Sequence, residues 1–523
     1  MKPIKPWRAR VMTAVVASAA IYVPGTALAQ PSNDDLADLV RRQAAQIERL
    51  EGRIQALEED ENRGTAASNT GTASRSGASA QDNRRSVVDS RQQPQSGPGA
   101  TDVGNASTPM AQMRKDLDAL KQNSVQVDWK SGSPKFSSRD GEFTFQPLGR
   151  LQFDYATTDG SRFADREIDG SEFRRLRIGF QGQLMEPIPT RSSSTSPRSE
   201  FDFAEENVGV RDAYIATRKD FALGQGVVYA GNKFADRSLD GATSSKYIWF
   251  LERNAVANAV IPESGYYNLG LTSAFYGKDN WHLSAGVSKG DLGNSNTESD
   301  NTTLITRAHI NPFVSDHAML HLGAWSFYED FARGNPDDLT DNVRFASHYN
   351  NNVRIYSDTI DQPEASTGFG FELAGLAGPV AAGAEYGRRT IDTRAGDDTD
   401  YDAYSAQIGY SLTGEQFGYS TKNGAWSTPT IDHPVTEGGW GAWQVMARYD
   451  ALDYENNGQF AGGTGHGTTL GVSWYLNHYT RFMLNWINWD TNNRVPIAGD
   501  PTDREFIGSD DGDTVSVRAQ VIF

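Results

Sequence analysis

From residue 141 to the last residue the chain alternates apolar and polar side chains. In GEFTFQPLGRLQFDYATTD (141–159), Phe143, Phe145, Leu151, Phe153 and Tyr155 fall on one side of an extended backbone, and Glu142, Gln146, Arg150, Gln152 and Asp154 on the other. At the C-terminus, DTVSVRAQVIF sets Val515, Val517, Ala519, Val521 and Phe523 against Thr514, Ser516, Arg518 and Gln520. The period predicts sixteen strands, near 141–159, 172–186, 198–205, 207–218, 226–233, 265–277, 280–290, 301–313, 317–329, 367–377, 379–392, 400–413, 437–452, 464–477, 478–491 and 511–523. The connections alternate in length. GKDN (277–280), NPFVSDH (311–317), AGLAGP (374–379) and LNH (476–478) are tight, whereas 234–264, 330–366 and 491–510 are long. One segment, 414–436, is long but falls on the tight side.

A greasy face and a charged face on every strand require two solvents. A soluble sandwich would need polar outer faces over a core roughly 10 Å thick. In lipid, a sheet must close on itself so that no backbone group is left unpaired. Short turns on one rim and long loops on the other, with an even strand number, predict a sixteen-stranded antiparallel outer-membrane β-barrel over 141–523. Aromatic residues near strand ends (Tyr155, Tyr214, Trp249, Trp281, Trp325, Trp440, Trp443, Trp474, Trp486 and Trp489) read as interfacial girdles. No stretch of eighteen apolar residues offers a helical span. A barrel this wide is expected to enclose an aqueous channel.

The stretch SEFRRLRIGFQG (171–182) tests this partition. Arg175 and Arg177 share a face, opposite Leu176, Ile178 and Phe180. On the lumen face arginine costs little; near the lipid midplane it costs about 2–4 kcal/mol. Arg174 has the lipid-side parity, so it is expected near the strand end, close to the headgroups or folded over the rim. The same parity turns Arg150, Arg307, Arg389, Arg448, Arg481 and Arg518 inward, with Asp154, Glu200, Asp202, Asp212, Glu385 and Asp450. About half of these arginines are expected to pair with an acid. Arg and Lys rings favour anions, and the loop 234–264, carrying Lys246 and Arg253, is the natural constriction. Arg518 is expected to lie away from it.

The N-terminal part is different. Lys2, Lys5, Arg8 and Arg10 precede an apolar run (11–23) and the small residues of ALA (27–29), which predicts a signal peptide over 1–29 and export. Residues 34–60 carry heptads, with Val40, Ile47 and Ile54 at a and Leu36, Gln43, Leu50 and Leu57 at d, the pattern of a short coiled coil. A low-complexity linker with one short helical stretch fills 61–125. These segments suit trimer assembly or contact with the cell wall. The formal charge of −18 argues against nucleic acid as a partner. There is no cysteine and no H-E-x-x-H string, so neither an enzyme nor a metal or other cofactor is expected.

Several motifs, in order, resemble the outer-membrane phosphate- and pyrophosphate-selective porins of the porin O/P family: EFTFQPLGRLQFDY, EFRRLRIGFQG, LDGATSSKYIWFLERN, AEYGRRT, SLTGE and LGVSWY. The resemblance implies a homotrimer in the outer-membrane lipid of a Gram-negative bacterium, each barrel with its own pore for small anions. It also implies a central anion site at Arg174, Arg175 and Lys246, with Arg150 and Arg177 beside it. Arg307, Arg389, Arg448, Asp212 and Glu385 would line the lumen. Around 341–357 only Arg344 and Arg354 remain of an arginine-rich vestibule, which thins the steering of dilute anions. A general, weakly selective porin, or a barrel that mainly tethers the envelope, are the alternatives.

Overall fold

Neighbouring side chains on one strand meet opposite surroundings: Ile178 is 56% exposed and Arg177 only 8%. In the computed structural model this holds along sixteen long strands. The structure describes residues 125–523 except 130–131, 185–192, 205–207, 279, 291, 293–298, 333–335, 456–460 and 495–506, together with Arg49 and Lys115. The expected signal peptide, the heptads save Arg49, and the linker save Lys115 and Val125 lie outside the described residues.

The strands are β1 (Thr144–Asp159), β2 (Asp169–Gln183), β3 (Ser193–Asp202), β4 (Gly209–Phe221), β5 (Gly224–Phe234), β6 (Tyr267–Gly277), β7 (Trp281–Lys289), β8 (Thr302–Val314), β9 (Ala318–Asp330), β10 (Pro363–Ala377), β11 (Val380–Thr393), β12 (Asp398–Ser411), β13 (Ala442–Glu455), β14 (Ala461–Tyr475), β15 (Thr480–Asn493) and β16 (Gly508–Ile522). Each pairs antiparallel with the next, and β16 pairs with β1 from Asp513↔Asp159 to Ile522↔Arg150, closing the barrel. Phe523 completes the seam: it exchanges backbone hydrogen bonds with Gly149, and its ring lies where a Cβ on Gly149 would stand. Before β1, a small hairpin (Gln126–Asp128 with Lys135–Ser137) adds to the sheet by pairing Phe136 with Phe145. The chain therefore enters the barrel at the rim of tight turns.

Outward positions such as Phe369, Phe371 and Leu373 on β10 are exposed, as an acyl environment demands. At the turn rim the Trp443 and Trp474 rings stack at 5.0 Å, and both indoles donate to the Trp440 carbonyl. The girdle reading fails at four positions. Trp249, Trp325 and Trp489 are buried, and Tyr214 faces an internal cavity. Trp325 and Trp489 carry the inward parity of their strands, and Trp249 sits on a loop folded into the barrel.

The bore is not simply open, contrary to what strand number alone suggests. Among the described residues, three connections enter it. The β5–β6 loop carries two short helices, α1 (Leu239–Ala242) and α2 (Ala255–Ala259), capped by Ser238 and Asn254. The β9–β10 loop sends Leu339, Val343, Phe345, Val353, Ile355 and Ile360 into an apolar cluster with Trp325, Ile391, Tyr454 and Trp489. The long connection on the tight rim, 412–441, also turns inward through a hairpin (Gly418–Ser420 with Ala425–Ser427). Its Trp426 packs on Trp249 at 4.5 Å, so segments from opposite rims meet in the lumen.

Candidate functional site

The in-folded loop is held by strand side chains. Glu385 on β11 accepts hydrogen bonds from the Leu239 and Asp240 amides (2.8 and 3.0 Å) and from Asn254 Nδ2 (2.7 Å). Asp450 takes the Ala255 amide, and Arg448, Arg481 and Arg518 donate to the carbonyls of Glu252, Ile248 and Leu251. Arg307 pairs with Glu372 and Asp236 and donates to the Asn423 and Gly424 carbonyls of the turn-side segment. Arg389 pairs with Asp341 of the β9–β10 loop. Arg307, Arg389, Arg448 and Glu385 do point inward, as their parity requires. The structure seats them under in-folded segments, where they anchor loops, and only Asp212 of the expected lumen-lining set borders the open cavity. Arg518 is not remote either: it pairs with Asp154 and with Glu252 of the loop.

That leaves one side of the lumen open. Between β1–β6 and the loop lies a cavity of about 440 Å³. Arg150, Arg174, Arg175, Arg177, Arg198, Arg211 and Arg253 line it, against Glu200, Asp212 and Glu252. Arg174 reaches it through a bulge. Gln152 pairs with Arg175 and Phe153 with Phe173, so Arg174 is the extra residue and turns inward beside its neighbour.

The seven guanidiniums are not equivalent. Arg177 is held by Asp202 (2.7 Å) and Glu200 (2.9 Å), Arg198 by Asp212 (2.9 Å), and Arg211 by Asp202 (3.3 Å). Arg174 is gripped at two points by Glu252, at 2.8 and 3.0 Å. Burial works to raise the Glu252 carboxyl, but Arg174, Arg175 and Arg518 outweigh it and hold the group well below the usual carboxylate range. Arg150 bonds the Ser245 hydroxyl, with Ser244 at 3.5 Å and Glu200 at 3.7 Å. Arg175 donates to Gln152 (2.8 Å) and, among the described residues, has no carboxylate within ion-pair distance; its Nε is buried without a partner. Lys246 is half-buried behind this wall. Burial, and after it the Arg150 guanidinium, pulls its ammonium down to about 8.

The structure thus brings Arg150, Arg174, Arg175 and Arg177 together on one cavity, with Lys246 close behind. Arg198 was legible as well: in SSTSPRSEFD it has the parity of Glu200 and Asp202. Glu252 carried no such signal, because a loop residue has no parity. Among the described residues, seven guanidiniums against four carboxylates, counting Asp202 behind the wall, give a surplus of positive charge with serine hydroxyls opposite. Such a site can exchange the water around a phosphate-like anion for charged donors.

The family model of phosphate-selective porin O and P matches residues 145–523. An uncharacterized protein of Caulobacter vibrioides is 28% identical over 95% of this chain and 96% of its own. Porin O of Pseudomonas aeruginosa is 26% identical over 75% of this chain and 91% of its own. Among solved structures, OmpT of Vibrio cholerae (13% identity, TM-score 0.47) covers 73% of this chain and 98% of its own. An anion-selective porin from Comamonas acidovorans (11%, TM-score 0.44) covers 73% and 100%. With the family match spanning the barrel from its first strand to its last residue, the chain belongs to the phosphate-selective porin O and P family and is an outer-membrane porin.

Proposed function

We propose that this porin conducts small anions by passive diffusion, with inorganic phosphate or pyrophosphate as the ions that dwell at the arginine cavity. The observation that carries this reading is Arg175: among the described residues, a guanidinium without a carboxylate within ion-pair distance, on a cavity where cations outnumber acids. A permeating dianion supplies the missing partner, and Arg150, Ser244 and Ser245 close on it from the strand and loop sides. Lys246 adds charge from behind. The thinned vestibule, with Arg344 and Arg354 bonded to Asn351, makes capture from dilute solution weaker than binding at the cavity.

We also propose that the barrel assembles as the homotrimer implied by the family. The outward positions of β3–β5 mix Thr195, Pro197, Ser199, Ala213, Thr217 and Ala230 with Phe201, Ile215 and Val228, a face with smaller side chains than the Phe369–Phe371–Leu373 face of β10. A neighbouring copy covers such a face better than acyl chains do. The signal peptide reading accounts for delivery to the outer membrane.

Planar-bilayer recording tests the conduction reading. In a KCl gradient the reversal potential should have the anion-selective sign, and added phosphate should reduce the chloride current saturably. A cation-selective reversal potential rejects the anion reading.

A further inference from the structure

Arg175 is held by a neutral side chain. Gln152 stands opposite it in the β1–β2 register and is fully buried. Gln152 Oε1 accepts from Arg175 Nη1 at 2.8 Å, and Gln152 Nε2 donates to the Ser245 carbonyl of the constriction loop (3.0 Å) and to Gln520 Oε1 (2.6 Å). On β16, Gln520 is the register partner of Gln152, and on β15 Arg481 is that of Gln520. Four neighbouring strands thus carry one inward row, Arg175, Gln152, Gln520 and Arg481. The row also cradles loop backbone: Gln520 Nε2 donates to the Lys246 carbonyl and Arg481 Nη1 to that of Ile248, each at 3.1 Å.

Position 152 has to do two things at once. Towards Arg175 it must accept, because a guanidinium offers only donors. Towards Ser245 it must donate, because a carbonyl only accepts. An ionised glutamate of the same length would accept at both ends and face the Ser245 carbonyl with no proton to give. The amide serves both ends and carries no charge. Two residues along the same strand the opposite choice is made: Asp154 accepts from Arg518 Nε and Nη2, both at 2.7 Å, and cancels that charge. Arg175 is oriented too, but its charge is kept for the cavity it lines.

Resting on the anion reading above, we propose that Gln152 is a positioning residue for the permeating anion: it aims the Arg175 guanidinium at the cavity without neutralising it, and ties that aim to the Ser245–Lys246 stretch of the constriction loop. A buried guanidinium held only by an amide lacks a counter-ion, which is costly; the arriving anion supplies it.

Phosphate titrated against the chloride current in planar bilayers tests this on the wild-type channel and three variants. Gln152→Glu puts a carboxylate against Arg175, and the half-blocking phosphate concentration should rise about thirtyfold, with a smaller anion-selective reversal potential in a KCl gradient. Gln152→Met removes both polar ends and adds no charge. It should weaken block about fivefold and keep the reversal potential. Gln520→Met cuts a loop contact of the same row but spares the bond between Gln152 and Arg175, and should weaken block by no more than about twofold. A residue that only held the loop would lose its contacts equally in Gln152→Glu and Gln152→Met, so equal shifts in those two overturn the proposal. Equal shifts in the two methionine variants overturn it as well, and that comparison stands even where the glutamate variant fails to insert. If phosphate does not block the wild-type channel, the anion reading falls and takes this role with it; wild-type block together with unaltered block in Gln152→Glu rejects the role of Gln152 alone.

Discussion

The two sides of this lumen use the same residue types to opposite ends. Along β8–β16, Arg307, Arg389, Arg448 and Arg518 each find a carboxylate, and most also reach a loop carbonyl; their charge is spent on holding segments in place. Along β1–β6, arginines crowd one cavity and outnumber the acids that reach them. The difference is set by the loops. Where an apolar loop such as 331–362 covers the wall, an inward arginine becomes a buried anchor, costly to leave unpaired. Where the loop stands off, the same residue meets water and ions. Inward parity says that a side chain leaves the lipid; it does not say what the side chain meets.

The largest effect should come from reversing the unneutralised charge on the open side. Arg175→Glu removes a donor and puts a carboxylate where the anion would sit. A hydrogen bond to a charged group contributes about 1.5–3 kcal/mol, so the half-blocking phosphate concentration should rise by about a hundredfold. Arg389→Gln on the filled side should leave that titration unchanged. If both substitutions weaken block equally, the division of the lumen into two sides is wrong.

Next in size is an anchor on the filled side. Glu385→Ala leaves the Leu239 and Asp240 amides and Asn254 without their acceptor, at a cost of about 1–3 kcal/mol for each buried group that water does not reach. The expected result is a noisier, larger conductance and a lower midpoint in thermal unfolding from detergent. Glu385→Gln keeps an acceptor and should lose less. An unchanged single-channel conductance in the alanine variant would remove Glu385 from the set of loop anchors.

Glu252 joins the two sides, because it pairs with both Arg174 and Arg518. It is a tethered carboxylate in the place a permeating anion would take. Glu252→Gln should therefore tighten phosphate block, by about three- to tenfold, since one competing charge is gone while a hydrogen-bonding amide remains. Weaker block would instead show that Glu252 serves to position Arg174.

Much of the barrel could be read from the chain, because a period of two on sixteen strands repeats one physical statement sixteen times. Parity alone sends Arg174 outward; only the resemblance to a family with paired constriction arginines calls for the twist or bulge at 173–175 that the strand has. What could not be read lies on loops. The 412–441 segment stands out in the sequence by its length, but its course into the lumen depends on Trp426 meeting Trp249 from the opposite rim, a contact between residues far apart in sequence. Arg389 and Arg175 look alike in their strands. Only the Asp341 carboxylate, brought in on the β9–β10 loop, makes the first an anchor, while the second borders the cavity.

The smallest expected effect is a pH dependence on the open side. Lys246 lies behind the arginine wall, and its ammonium is lowered to about 8, by burial first and then by Arg150. The charged form dominates below that pH and the neutral form above it, so the wall loses up to one positive charge between about pH 7 and 9. Anion selectivity should fall over that window, by about two- to threefold in phosphate affinity for one partly screened charge. Lys246→Met should be less selective at pH 7 and flat from pH 7 to 9, whereas Arg389→Gln should keep the wild-type slope. A slope that survives in Lys246→Met would place the titrating group elsewhere.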